Sequence, residues 1–77
     1  MRRITSESDI CHGKPTLEGT RIMVTQVLDL LASGRSEEEI VADYFPDLSV
    51  EDVRGCVRYA QSLVDNEEIH FIETTAA

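Results

Sequence analysis

Cys11, Cys56, His12 and His70 are the residues of this 77-residue chain whose side chains most readily ligate a metal. Only Cys11 and His12 are neighbours, and no Cys-x-x-Cys or His-x-x-x-His spacing is present, so the set lacks the paired ligands of a zinc site. The carboxylates suggest no catalytic pair either. Five of the fifteen, Glu37, Glu38, Glu39, Glu51 and Asp52, fall where the first turn of a helix uses acids for capping. No phosphate loop or nucleophile elbow is present. The expectation is a protein that is not an enzyme and that carries no metal or cofactor.

Binding chemistry is better represented. Lys14 and Arg21 sit in or beside a glycine-bearing turn, Gly13 to Gly19, where backbone can approach a phosphate closely. Arg21 has a second reading, as a clamp that hydrogen-bonds turn carbonyls or pairs with Glu18. Arg54 and Arg58 lie one helical turn apart and are the cations nearest a third helix that could read DNA. Their plainer reading, a solvated face with Arg54 paired to Glu51, is favoured. Near the C-terminus, Glu68, Ile69, Phe71 and Ile72 set apolar anchors among acids, a mixture suited to docking on a basic protein surface or to covering the domain's own core.

Charge divides the chain. Residues 1–35 are net +1 and residues 36–77 net −9, giving the formal −8 of the whole. The acidic second half repels phosphate and suits a basic partner; the first half holds the only electrostatic footprint for nucleic acid. A chain of this length buries about 60% of its unfolded surface, so a second copy is a natural way to complete a small core. Ile22, Met23 and Val24 exceed what that core should absorb, which marks helix 1 and the β element as the expected dimer surface. Arg2-Arg3 leads into polar residues rather than an apolar run, and no stretch is long enough to span a bilayer. A cytoplasmic protein with two free thiols, Cys56 partly buried, is expected.

The elements that must position these residues form one domain over 1–77. Residues 1–9 are flexible or an edge strand, 10–24 a turn and β element, 24–66 three helices and 67–77 a tail. Leu17, Ile22 and Val24 alternate with polar residues as a small two-stranded element does. Val24, Val27, Leu28 and Leu31 make one helical face, closed by Gly34 at the C′ position. Ser36 to Glu39 is a capping box for helix 2, with Ile40, Val41 and Tyr44 as its buried face and Pro46 as its stop. Ser49 and Asp52 cap helix 3, whose stripe of Val50, Val53, Val57, Ala60 and Val64, widened by Cys56, Tyr59 and Leu63, runs to Asp65 or Asn66. The fold class is mainly α: a three-helix, homeodomain-like (helix-turn-helix-like) bundle with a small N-terminal β-hairpin or β element.

The run Gly13-Lys14-Pro15, Gly19-Thr20-Arg21-Ile22, Leu30-Leu31-Ala32, Glu38-Glu39-Ile40, Phe45-Pro46-x-Leu48 and Asp52-Val53-x-x-Cys56-x-x-Tyr59-Ala60 resembles the domain-of-unknown-function family 433 over about residues 4–62. Gly55 and Arg58 depart from its usual alanines. The resemblance implies a trihelical core with a small β element and a role as the antitoxin of a toxin–antitoxin pair, partnered with a PIN-like nuclease toxin. Such a protein would be a homodimer able to contact its own operator DNA, with no membrane role. A stand-alone DNA-binding regulator and a plain homodimeric interaction module are the alternatives.

Overall fold

Residue types at the helix boundaries account for the three helices. α1 spans Val24–Ala32. Its N-terminus is closed by Gln26, whose side-chain oxygen accepts from the Met23 N–H at 2.8 Å. At its other end Gly34 takes φ +98, and the N–H groups of Gly34 and Arg35 donate to the Leu31 and Leu30 carbonyls. That is a Schellman ending, which needs a left-handed residue and so favours glycine. α2 starts at Glu37–Glu39 and continues as a π-helical turn over Ile40–Tyr44. The Ser36 hydroxyl accepts from the Glu39 N–H, and the Glu39 carboxylate accepts from the Ser36 N–H. α3 runs Val50–Asn66, with Ser49 and Asp52 exchanging the same pair of bonds. The computed structural model describes residues 2–66.

Two short strands precede the helices. β1 (Ile4–Thr5) pairs antiparallel with β2 (Thr16–Leu17), Ile4 opposite Leu17 and Thr5 opposite Thr16. Met23 meets Thr16 only as an isolated bridge, and the Leu17 N–H donates to the Ile22 carbonyl. Leu17 is therefore flanked on both sides: Ile4 stands opposite it in the sheet, and the Ile22–Val24 segment, which alternation placed beside it, bonds to it and to Pro15, whose carbonyl accepts from the Val24 N–H. The N-terminal residues take the edge-strand alternative. Mainly helical architecture with a small two-stranded antiparallel sheet agrees with the expected fold class.

The core lies where α1, α2 and the sheet meet α3. Leu17, Val24, Val27, Ile40, Leu48, Val53 and Cys56 are buried, and Ile4, Ile22, Leu28 and Phe45 pack against them. Cys11 and Cys56 are both free thiols. Burial, with the nearby charge of Asp52, pushes the Cys56 thiol up to about 11.

Helix 2 departs from its expected face. Tyr44 is 41% exposed, with the Arg35 guanidinium 5.6 Å from its ring centroid, while Phe45 packs on the core. The cause is the π turn: the Phe45 N–H donates to the Ile40 carbonyl five residues back, at 2.8 Å. Five-residue spacing puts Phe45, rather than Tyr44, beneath buried Ile40.

Besides the packing of Ile4 and Leu17, a polar tie joins the sheet to the helices. The Arg2 N–H donates to Asp52 Oδ1 at 2.7 Å, and its Nε lies 3.4 Å from Asp52 Oδ2. The rest of the guanidinium donates to the Glu18 carbonyl beside β2 and the Asp47 carbonyl before α3, each at 3.0 Å. Gly19, at φ +81, holds a left-handed conformation that favours glycine, beside that guanidinium. Burial alone would raise the Asp52 pKa. Hydrogen bonds from Arg2 and Ser49 and the Arg2 charge outweigh it and hold the carboxyl below its usual range.

A lowered native pKa means that Asp52 stabilises the fold fully above about pH 4, and that its contribution fades as pH falls through the native value. Urea unfolding should show Asp52→Ala losing about 2 kcal/mol at pH 7 and Arg2→Ala about 1 kcal/mol. Asp52→Asn should flatten the acid limb of the stability curve. Thiol titration of the native protein at pH 8 should modify Cys11, with Cys56 reacting only on unfolding.

Candidate protein-interaction surface

α3 is longer than the body it packs on. Its 17 residues span about 25 Å, while the nine of α1 span about 13 Å. Asp52, Val53, Gly55 and Cys56 in its first half are buried. In its second half the apolar stripe continues on the same side, but Val57 and Leu63 are each 44% exposed and Val64 61%. Tyr59 and Ala60 are half-buried. The expected stripe is present, then, and only its N-terminal half finds a core. The remainder is an apolar helical face without cover among the described residues, bordered by Asp65 and, in the sequence, by Glu67 and Glu68.

The candidate cations do not gather into one patch with defined partners. Arg54 is bound to α2: its Nε and second terminal nitrogen donate to the two Glu37 carboxylate oxygens at 2.9 and 3.0 Å. The pairing is with Glu37 and not with Glu51, because the helix–helix contact offers a bidentate geometry that a neighbour on the same helix does not. Those hydrogen bonds hold the Glu37 carboxyl low and the Arg54 guanidinium high. Arg58 is exposed, with no ion pair among the described residues. The first turn of α3, where a helix-turn-helix reader would meet bases, presents exposed Glu51.

In the N-terminal half, Lys14 and Arg21 are both exposed. Arg21 is not the clamp. Its guanidinium makes no hydrogen bond among the described residues, and it lines a cleft together with Glu7 and Glu18. Arg2 does the clamping instead. That role was hidden in sequence because Arg2 carries no turn motif; the one signal was Asp52, a capping-box acid already committed to Ser49 yet with an oxygen to spare.

Of the expected dimer surface, Val24 is 2% exposed and belongs to the core, which corrects its assignment: the sheet and α1 leave it no outward area. Ile22 and Met23 are half-buried. Glu68, Ile69, Phe71, Ile72 and His70 lie outside the described residues. Among those described, no group of three His, Cys, Asp or Glu is arranged to hold a metal, and no helix is long and apolar enough to cross a membrane.

The described residues form a three-helix body with a two-stranded sheet, clamped by an arginine and trailing an uncovered helical face. The chain belongs to the family described as Protein of unknown function (DUF433), whose model matches residues 4–60. No curated protein and no solved structure matches it.

The covered and uncovered halves of the helices should respond differently to substitution. Ile40→Ala should cost about 3 kcal/mol in denaturant unfolding. Val64→Asp should change stability by less than about 0.5 kcal/mol, since it removes no buried contact.

Proposed function

We propose that this protein is a protein-binding module, the antitoxin of a toxin–antitoxin pair, which neutralises a PIN-like nuclease by occupying its RNA-binding surface. The observation that carries the reading is the apolar face of α3 beyond Cys56, continuous with the core yet uncovered. Such a face gains by burial at about 25 cal/mol per Å². The surrounding charge selects the occupant: the second half of the chain is net −9, so a basic surface is attracted and a nucleic acid repelled. A nuclease that grips RNA presents such a surface. The acidic stretch around Glu68, Ile69, Phe71 and Ile72 follows α3 directly in sequence and extends the same chemistry.

Operator binding receives less support. Arg54 is spent on Glu37, and Glu51 stands at the turn that would meet base edges. Lys14, Arg21 and Arg58, with Arg3, remain the cations for any phosphate contact, and binding through so few would be weak.

The test is co-expression with a PIN-like nuclease encoded beside this chain, read as growth rescue and as inhibition of RNA cleavage by the purified pair. Rescue by the native chain, with at least tenfold weaker binding by the Leu63→Asp/Val64→Asp variant, is the expected result. Rescue by that variant at full strength, with its fold intact, would remove α3 from the interface. A nuclease that cleaves RNA equally well with and without the native chain would sink the antitoxin reading. Alanine at both Lys14 and Arg21 should weaken any DNA binding more than Arg54→Ala does, as followed by mobility shift at low salt.

A further inference from the structure

The cleft beside the sheet is a second feature, separate from the α3 face: all its walls come from the first 21 residues. It is open, with a volume of about 470 Å³, within the range of small-molecule sites. Glu7 and Glu18 supply two carboxylates and Arg21 one guanidinium, and none of the three side chains has an ion-pair partner among the described residues. Thr5, Thr16 and Thr20 supply hydroxyls. The Thr20 hydroxyl is occupied, donating to the Leu17 carbonyl at 2.7 Å and accepting from the Ile22 N–H at 3.0 Å, which fixes the backbone on either side of Arg21.

Thr16 differs. It is 4% exposed, lines the cleft, and its hydroxyl makes no hydrogen bond among the described residues. No fully buried side-chain oxygen or nitrogen lacks a partner among them, so what Thr16 retains of open surface includes that hydroxyl. That hydroxyl sits at the wall of the cleft with no partner among the described residues, where a bound molecule can reach it.

Backbone strain lies at the same edge. Ile10 lines the cleft, and the two residues after it, Cys11 and His12, hold φ +52 and +58. Each non-glycine residue in that region costs on the order of 1 kcal/mol. The turn is tied down by Ser6, whose hydroxyl donates to the Gly13 carbonyl, and by the Cys11 thiol, which donates to the Arg21 carbonyl at 3.6 Å. Arg21 is thus held from both sides of its own backbone.

We propose that the cleft binds a free basic amino acid, its carboxylate on Arg21 and its two cationic groups on Glu7 and Glu18. Two negative charges and one positive call for a ligand with two positive and one negative, which is the charge pattern of arginine or lysine. Guanidinium takes a carboxylate bidentately. Ile10 offers apolar wall for the methylene stem, and the Thr16 hydroxyl a hydrogen bond to the carboxylate. A phosphate would face both glutamates, and a polyamine would face Arg21.

The experiment is a titration of the full chain with L-arginine and L-lysine, followed by amide NMR shifts. Saturable shifts confined to Thr5, Glu7 and the Thr16 to Arg21 segment are expected. Agmatine, which lacks the carboxylate, and Nα-acetyl-arginine, which lacks the α-ammonium, should each bind at least tenfold more weakly. Arg21→Gln should erase the preference for arginine over agmatine, and Glu18→Gln should weaken arginine at least tenfold; both residues are exposed, so the remaining spectrum should stay in place. No saturable shift at 50 mM arginine (about the weakest affinity worth the name), equal binding of agmatine, or an Arg21→Gln variant with unchanged preference would each overturn the proposal. The outcome is independent of nuclease binding through α3.

Discussion

The architecture depends on Arg2 reaching Asp52 across 50 residues of sequence. A two-stranded sheet of four residues has too little hydrophobic face to hold itself on a helical body. Arg2 solves this by spending one guanidinium on three segments: the end of β2, the turn before α3 and the first turn of α3 itself. Asp52 serves at the same time as the cap of α3, so the bond that starts the helix and the bond that seats the sheet share one carboxylate. Leu17 is carried into the core by this arrangement, and with it the partner that Val24 and Val27 require.

Legibility in the sequence followed the range of the interaction. Caps and stops were readable because their residues lie within four positions of each other: Ser36 with Glu39, Ser49 with Asp52, Gly34 after α1. What escaped was set at a distance or by helix geometry. Leu17 meets the Ile22–Val24 segment as alternation suggests, but its second neighbour, Ile4, comes from a pairing that no local pattern marks. Tyr44 was assigned inward on a 3.6-residue period that a π turn suspends. The stripe on α3 was identified correctly as apolar, but periodicity does not say how far a core extends, and here it ends near Cys56. For the sites, the turn marked Arg21 as exposed, while Glu7 and Thr5 are brought beside it by the pairing of β1 with β2, which no local pattern announces.

The clamp and its lesser companions also reshape the electrostatics. Arg2 is bound to Asp52, Arg54 to Glu37 and Arg35 lies over Tyr44, so three of the chain's seven cations are engaged within the fold. Three cations are thus engaged against two acids, Asp52 and Glu37, out of a stock already short of cations. The surface left to a partner is consequently more one-sided than the composition, and the long-range field that reaches an approaching molecule is that of an acid.

The π turn of α2 has a meaning for chain length. A π turn holds one residue more than an α turn between the same two contacts. Here those contacts are Ile40 and Phe45, and both are anchored on the core. Between them the chain carries a surplus residue, with Tyr44 turned outward to accommodate it. A sequence one residue shorter at this place would close as a regular helix with the same two side chains inward, leaving Pro46 and the cap of α3 in register. The domain has at this point a joint at which length can change while packing is conserved.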